Sequence, residues 1–247
     1  MRVFVINLKR STDRRLRMET VLGSLGIPFE FFPGTDGKGL GKREIEAAYD
    51  EAGVRRNIDR ALSLNEIGCT ISHRSLYRKI VDEGIERACI LEDDIILDKA
   101  FPDVLAYLDA CEMTNTVVKL DNYQEKTTPC SIWGRRRIPI PGGYAYKKPV
   151  TTQWMAWGYA IDRVAAANII GTWPRIVFMS DDWKRMSAAV EIRCVQPSVV
   201  HQNMSMESVI DEDRKDLLAA LGTLKKRSMD LGRLVHITKT LLKMVLT

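Results

Sequence analysis

The sequence has no apolar run near the roughly 18 residues that a membrane-spanning helix requires. The early stretch Val3 to Ile6 is short and gives way to Asn7, Lys9 and Arg10. A signal-peptide pattern is also missing. The five cysteines, Cys69, Cys89, Cys111, Cys130 and Cys194, form an odd set without metal-ligand spacing. That argues against a zinc ribbon or a disulfide framework and leads us to expect reduced thiols in a cytoplasmic protein. No Gly-x4-Gly-Lys-Ser/Thr occurs, which excludes P-loop chemistry, and no internal repeat or low-complexity tract is visible. What remains is a chain of 247 residues, 45% hydrophobic and 28% charged. Those are soluble, globular proportions, with length enough for one full α/β core and an appendage.

The charge is unevenly distributed. Residues 214–247 hold eight Lys and Arg against Asp216 and Asp230, a net +6, while the whole chain is +5, so residues 1–213 net −1. From Leu231 the tail interleaves Leu, Val, Ile and Met with basic residues at helical spacing. A helix lying on an anionic membrane surface reads this way, and so does a C-terminal helix packed on the domain with a solvated basic face. We therefore expect a domain over residues 1–213 and a basic amphipathic helical tail over 214–247, with no nucleic-acid partner.

Apolar periodicity and punctuation predict alternating strands and helices. Arg2 to Leu8 reads as a strand, Ser11 as the cap of a helix to Leu25, and Phe29 to Phe32 as a second strand before the turn-forming Pro33 to Gly37. A charged helix follows over Arg43 to Ala52. Ser63 and Glu66 form a capping box for a helix from Leu64 to Glu83. Ala88 to Ile95 is an apolar strand that ends abruptly in Glu92, Asp93 and Asp94, and Thr116 to Asp121 is another strand ending on an acid. Residues 122–153, rich in Pro and Gly and carrying Arg135, Arg136 and Arg137, read as an irregular lobe that either faces an acceptor or is a plain surface excursion. Trp154 to Ile161, a helix capped by Asp162 and closed by Gly171, the turn Ser180 to Trp183 and a strand from Ile192 to His201 complete the pattern. Strands alternating with helices at this spacing argue for a parallel or mixed sheet.

The acidic triplet carries the most chemistry. Three carboxylates cannot share a core without a partner, because desolvating each one costs several kcal/mol. A hard divalent cation, Mg2+ or Mn2+, accepts carboxylate oxygens and completes its shell with phosphates. Open α/β sheets bind ligands at the carboxyl ends of their strands, which is where these acids lie.

Several ordered motifs resemble glycosyltransferase family 25, which includes bacterial lipooligosaccharide galactosyltransferases and collagen sugar transferases. Val5 to Leu8 with Arg14 looks like the opening strand and basic helix. Gly26 to Phe32 and Gly34 to Gly37 look like the second strand and its loop. Glu66 to His73, Ile90 to Asp94, Val118 to Asp121 and Trp157 to Ile161 continue the family order over most of residues 3–201.

The resemblance implies a GT-A-like, Rossmann-type nucleotide-sugar-binding fold with a mixed sheet, a UDP-sugar donor, a divalent metal and inversion at the anomeric carbon. It places the metal, Mn2+ or Mg2+, on Glu92 and Asp94, with His201 as a third ligand. Asp93 is then free to meet the donor's ribose or sugar hydroxyls. Asp182 or Asp181 is the expected general base, with Asp121 as a third candidate; Asp181 also suits a helix cap. Asn7, Arg10 and Arg14 suit the base and phosphates of the donor, and Thr35 and Asp36 the ribose or uracil. Ser72 and His73 precede the metal strand, His73 being either a donor contact or a core histidine. The expected activity is transfer of a hexose, galactose first, to a saccharide of lipopolysaccharide or a related glycan. That acceptor would be lipid-linked and met on the inner face of the cytoplasmic membrane. Alternatives are transfer of another UDP-hexose such as glucose, or a membrane-peripheral nucleotide-sugar-binding protein without activity.

Overall fold

The computed structural model describes residues 1–121, 138–147 and 155–203. The predicted basic tail, and all of the predicted lobe except 138–147, lie outside them. The described residues form a mixed α/β structure whose first half is β1 (Arg2–Asn7), α1 (Thr12–Ser24), β2 (Glu30–Pro33), α2 (Lys42–Ala48), α3 (Glu51–Ile58), α4 (Leu64–Asp82), β3 (Arg87–Glu92), β4 (Ile95–Leu97) and α5 (Phe101–Ala110). The second half is β5 (Thr116–Lys119), β6 (Ile138–Ile140), β7 (Tyr144–Lys147), β8 (Gly158–Asp162), α6 (Arg163–Thr172), α7 (Trp183–Met186), β9 (Glu191–Gln196) and β10 (Val200–Gln202). Eight strands make one sheet in the order β2-β1-β3-β8-β5-β9-β7-β6, and β4 pairs with β10 in a separate ribbon. β2, β1 and β3 run parallel, β8 is antiparallel to both β3 and β5, and β5 is parallel to β9.

Alternation along the strands divides the core between two faces. Val3, Val5, Cys89 and Leu91 join Met18 and Leu22 of α1 and Phe101, Val104 and Leu108 of α5 in one cluster. Phe4, Ala88 and Ile90 join Leu76, Tyr77 and Ile80 of α4 and Ala165, Ala166 and Ile169 of α6 in another. Successive side chains of a strand point to opposite faces, so β3 is buried on both sides, as the unbroken apolar run before Glu92 implied. The same alternation sends Glu92 to the α4 face with Ile90.

Local chemistry explains most boundaries. Ser63 and Glu66 close the predicted capping box of α4, and Asp162 caps α6 by accepting from Ala165 N at 3.0 Å. Gly171 lies inside α6 and does not close it. The single helix expected over Arg43 to Ala52 is two: Tyr49 leaves the helix to bridge Ile176, and Asp50 caps α3 through Gly53 N at 2.9 Å. The strand expected from Ile192 to His201 is also two, β9 and β10, because Pro197 cannot donate to the ladder.

Two glycines let the loop after β2 lie directly on α4. A Cβ on Gly68 would fall 2.6 Å from Gly37 N and Thr35 O, and one on Gly37 would fall 1.7 Å from Leu64 O. Ser72 fixes the same contact by accepting from Thr35 N at 2.8 Å while donating to Gly68 O at 2.7 Å. Gly68→Ala is therefore expected to destabilise by about 2 kcal/mol or more in urea unfolding, as overpacked backbone contacts do. Gly23→Ala, where nothing lies within 4 Å of the new Cβ, should stabilise by about 0.5 kcal/mol. Equal midpoints for the two variants would contradict this packing.

Candidate active site

The carboxyl ends of β1 and β3 come together in register, with Ile6 opposite Glu92. Asn7, one residue on, is buried and donates to Ser11 O at 3.1 Å and to Asp93 Oδ2 at 2.7 Å. The first turn of α1 brings Arg14 over the same acids, at 3.0 Å from Asp93 Oδ1 and 3.3 Å from Asp94 Oδ2. Arg17, which the sequence reading missed, lies one helical turn further along and donates to Ile95 O. Its i, i+3 spacing from Arg14 was the available signal. Arg10 pairs with Asp36 across the loop that Ser72 and Thr35 anchor.

On the other face, α4 presents Cys69, His73 and Tyr77, spaced i, i+4, i+8 along one helix side. Cys69 Sγ lies 3.5 Å from Ser180 Oγ, tying α4 to the turn before α7. His73 is fully buried, with Nδ1 2.7 Å from the Tyr159 hydroxyl and Nε2 3.5 Å from Glu92 Oε1. Of the two readings offered for His73, it is a buried histidine partnered by a tyrosine and set against Glu92.

The electrostatics of this corner are those of crowded carboxylates. Burial first, then the charges of Asp93, Asp181 and Asp121, push Glu92 from its ordinary 4.5 to about 8 against the pull of Arg14. Burial and the Glu92 charge push Asp94 from 3.8 to about 7. Asp94 Oδ1 is buried and has no hydrogen-bond partner. A divalent cation is the group such a set fits: hard oxygen donors, raised proton affinity and a buried carboxylate oxygen without a partner.

The expected ligand set needs one correction. Among the described residues, the metal-ligating side chains whose donor atoms lie within 4.8 Å of one another are Cys69, His73 and Glu92, a group that includes neither Asp94 nor His201. His201 pairs with Ile96 on the exposed side of the β4-β10 ribbon. The strand ends at the expected residue, but its alternation turns the imidazole outward. Asp94 meets Arg14 through Oδ2, and its Oδ1 is the oxygen left without a partner.

A second correction concerns the turn before α7. Asp182 is fully buried and caps that helix, accepting from Arg185 N at 3.1 Å and pairing with the Arg185 guanidinium. The capping role expected for Asp181 thus falls to its neighbour. Asp181 is half-buried and close enough to raise both Glu92 and His73. Asp121 is also fully buried, paired with Lys119 at 2.5 Å and accepting from Gly158 N at 3.2 Å. Lys119 donates to Met155 O at 2.7 Å, where the Trp183 indole also donates at 2.6 Å. Met155 holds a positive φ of 65°. Asp121 and Lys119 thus brace the segment entering β8.

Asp182→Ala is expected to lower unfolding free energy by about 2 kcal/mol or more, since it strips a cap and leaves the Arg185 charge without its buried partner. Asp181→Asn, which removes no helix cap, should cost less in denaturant melts. The pH response of the metal-free protein is a further check. Glu92 and Asp94 hold protons more tightly folded than unfolded, so their contribution to stability falls as pH rises toward about 8 and 7 respectively. His73, lowered by burial to about 4, acts in the opposite direction below 6.5. Tm should therefore decline between pH 6.5 and 8, and Glu92→Gln should flatten that decline. A variant with an unchanged slope would remove Glu92 as its source.

The family model described as "Glycosyltransferase family 25 (LPS biosynthesis protein)" matches residues 1–183. Procollagen galactosyltransferase 2 of Homo sapiens is 35% identical over 189 residues, covering 70% of this chain and 28% of that protein. A glycosyltransferase 25 family member of Drosophila melanogaster is 37% identical over 107 residues, covering 40% of this chain and 17% of that protein. The chain thus spans between 17% and 28% of the length of these relatives. A solved structure, mannose-1-phosphate geranyltransferase from Thermus thermophilus, aligns over 78% of this chain and 72% of its own with a TM-score of 0.31 and 12% identity, and carries no argument about the site. On the match to residues 1–183, the chain belongs to glycosyltransferase family 25, a family of sugar transferases.

Proposed function

We propose that this chain is an inverting, metal-dependent glycosyltransferase of GT-A-like fold that moves a hexose from a UDP-sugar to a saccharide acceptor. The observation that carries the proposal is the group of acids at the carboxyl end of β3, with Glu92 and Asp94 pushed up to about 8 and about 7. Galactose is the proposed hexose, since relatives bear the name procollagen galactosyltransferase. A glycan of lipopolysaccharide type is the proposed acceptor, after the family's description.

In this reading Glu92 and Asp94 would hold Mn2+ or Mg2+. The bound ion supplies positive charge where the departing diphosphate gathers negative charge. Arg14, paired with Asp93 and Asp94, would offer its guanidinium to the diphosphate when those acids are otherwise neutralised. Asn7, Arg10, Thr35, Asp36 and Ser72 shape the donor side, and Asp93 remains for a ribose or sugar hydroxyl. Asp181 is the proposed base, because it is partly exposed and stands close enough to Glu92 to raise it, whereas Asp182 and Asp121 are fully buried in ion pairs. It takes the proton of the acceptor hydroxyl as that oxygen bonds to the anomeric carbon. The bond from that carbon to the diphosphate breaks, and UDP leaves with the electron pair.

Asp94→Ala should lose turnover by at least about 100-fold while melting cooperatively, a loss in the range seen for removal of one electrostatic group. Asp181→Asn should keep donor affinity in calorimetry and lose transfer. Full activity of Asp94→Ala, or of the parent in excess chelator, would remove the metal from the mechanism. Normal turnover by Asp181→Asn would remove that residue as base.

We also propose that the basic tail holds the enzyme at an anionic membrane, where a lipid-linked acceptor would be met. The support is its net +6 against −1 for residues 1–213, each near-surface basic residue contributing about 1 kcal/mol toward an anionic bilayer. Deletion of residues 231–247 should abolish salt-sensitive co-sedimentation with anionic vesicles and spare turnover on a soluble acceptor. Equal pelleting of the two forms would count against the tail.

A further inference from the structure

One side of α4 and the tip of β3 bring a thiol, an imidazole and a carboxylate together: the donor atoms of Cys69, His73 and Glu92 lie within 4.8 Å of one another. Cys69 and His73 share a side of the helix at i, i+4 spacing. Glu92 meets them from the sheet, with Oε1 3.5 Å from His73 Nε2. His73 is 1% exposed, and its Nε2 is buried and makes no hydrogen bond. Buried polar atoms are nearly always satisfied, so an orphan nitrogen beside a thiol and a carboxylate points to a ligand held among the three. The other ring nitrogen is provided for. Nδ1 lies 2.7 Å from the Tyr159 hydroxyl, and that hydroxyl lies 2.7 Å from the Tyr77 hydroxyl. A proton on Nδ1 is donated along this line to Tyr77, which borders a cavity of about 20 Å³ that Thr70 and Ser180 also line and that has room for one water. The lone pair of Nε2 is then left for a cation.

We propose that Cys69 Sγ, His73 Nε2 and Glu92 Oε1 form a site for a thiophilic divalent cation, Zn2+ first, adjoining the hard-cation site of Glu92 and Asp94. Thiolate and imidazole select Zn2+ over Mg2+ and Mn2+, which prefer oxygen. Nitrogen and oxygen ligands on a tetrahedral ion stand about 3.3 Å apart, and a sulfur ligand stands about 3.6 Å from either. The His73–Glu92 pair is already near that spacing, and the thiol has about 1 Å at most to close. Tyr159 supplies the outer partner that a metal-bound histidine takes: it meets Nδ1 and stacks on the ring with centroids 5.8 Å apart. Asp181 adds negative charge felt by all three ligands. Cys69 and Glu92 are half-buried, so the ligands can be reached from solvent. Burial keeps the free Cys69 thiol protonated; on binding, the S–H bond breaks, its electron pair goes to the cation and its proton to solvent. Glu92 serves both sites. Zn2+ here takes that carboxylate and slows Mn2+-dependent turnover, a consequence that rests on the reading of Glu92 as a hard-cation ligand, as the site itself does not.

The test uses the full chain, stripped of metal and kept reduced, with Co2+ as the optical probe for Zn2+. Co2+ should raise a thiolate-to-cobalt charge-transfer band together with the strong visible bands of a four-coordinate ion, and added Zn2+ should bleach both. Cys69→Ser should lose the charge-transfer band, while Cys111→Ser and Cys130→Ser keep it. Tyr159→Phe should weaken Zn2+ binding, read by competition against Co2+, by about 10- to 100-fold, and His73→Leu and Glu92→Gln should weaken it further. Thermal melts report whether each variant folds, and if Cys69→Ser or His73→Leu does not, Glu92→Gln at the half-buried strand tip carries the comparison. No charge-transfer band in the parent, or the same band and affinity in Cys69→Ser, would overturn the site. In turnover assays with Mn2+, Zn2+ should inhibit the parent at lower concentration than it inhibits Cys69→Ser, each set against its own zinc-free rate. Equal inhibition of the two would overturn the shared use of Glu92. A parent fully active in excess chelator overturns the hard-cation reading and the inhibition with it, whereas the cobalt spectra decide the site in either case.

Discussion

The mutual repulsion and desolvation of carboxylates at the carboxyl end of β3 is the constraint around which this end of the molecule is arranged. Glu92 carries the burden, raised to about 8 by burial and by Asp93, Asp181 and Asp121. Each of its neighbours is managed differently. Asp93 is held by Asn7 and Arg14, and Asp121 is neutralised by Lys119 inside the core. Asp94 keeps a buried oxygen without a partner. A fold that keeps such a group in place gives up stability there, which is the usual sign of a site kept for binding and not for packing.

The sheet is what makes that concentration of charge possible. β1 and β3 are parallel, so both deliver their last residues to the same edge. Alternation then distributes them, sending Asn7 toward α1 and its arginines and Glu92 toward α4 and its histidine. Two faces of one sheet thus contribute opposite chemistries to one corner. The basic side suits phosphates, and the other side sets a buried histidine 3.5 Å from Glu92. The close approach at Gly37 and Gly68 places the loop bearing Thr35 and Asp36 over the same edge.

Much of this was legible in the linear chain. The strand before Glu92, the capping box at Ser63 and the cap at Asp162 each announce themselves through local rules of periodicity and hydrogen bonding. The family order of motifs was legible for the same reason: each motif is a strand tip or helix start whose spacing the backbone dictates. His201 and Asp182 were not legible in this way. A histidine at a strand end points inward or outward according to the register of a partner, here β4, that is about a hundred residues away in sequence. Which of two adjacent aspartates caps α7 depends on where Arg185 finds its other acceptor, the Asn57 carbonyl of α3.

The sequence alone determined most of the elements, the acidic strand tip and the basic character of α1, because those follow from interactions within a few residues of chain. Only the tertiary structure decided which acids are spent on structure and which face the site, and that His73, held by Tyr159, meets Glu92. Those outcomes depend on burial and on partners brought together across the sheet. The free energy of a charge in a protein is set by its surroundings, and a residue's surroundings are not written in its neighbours along the chain.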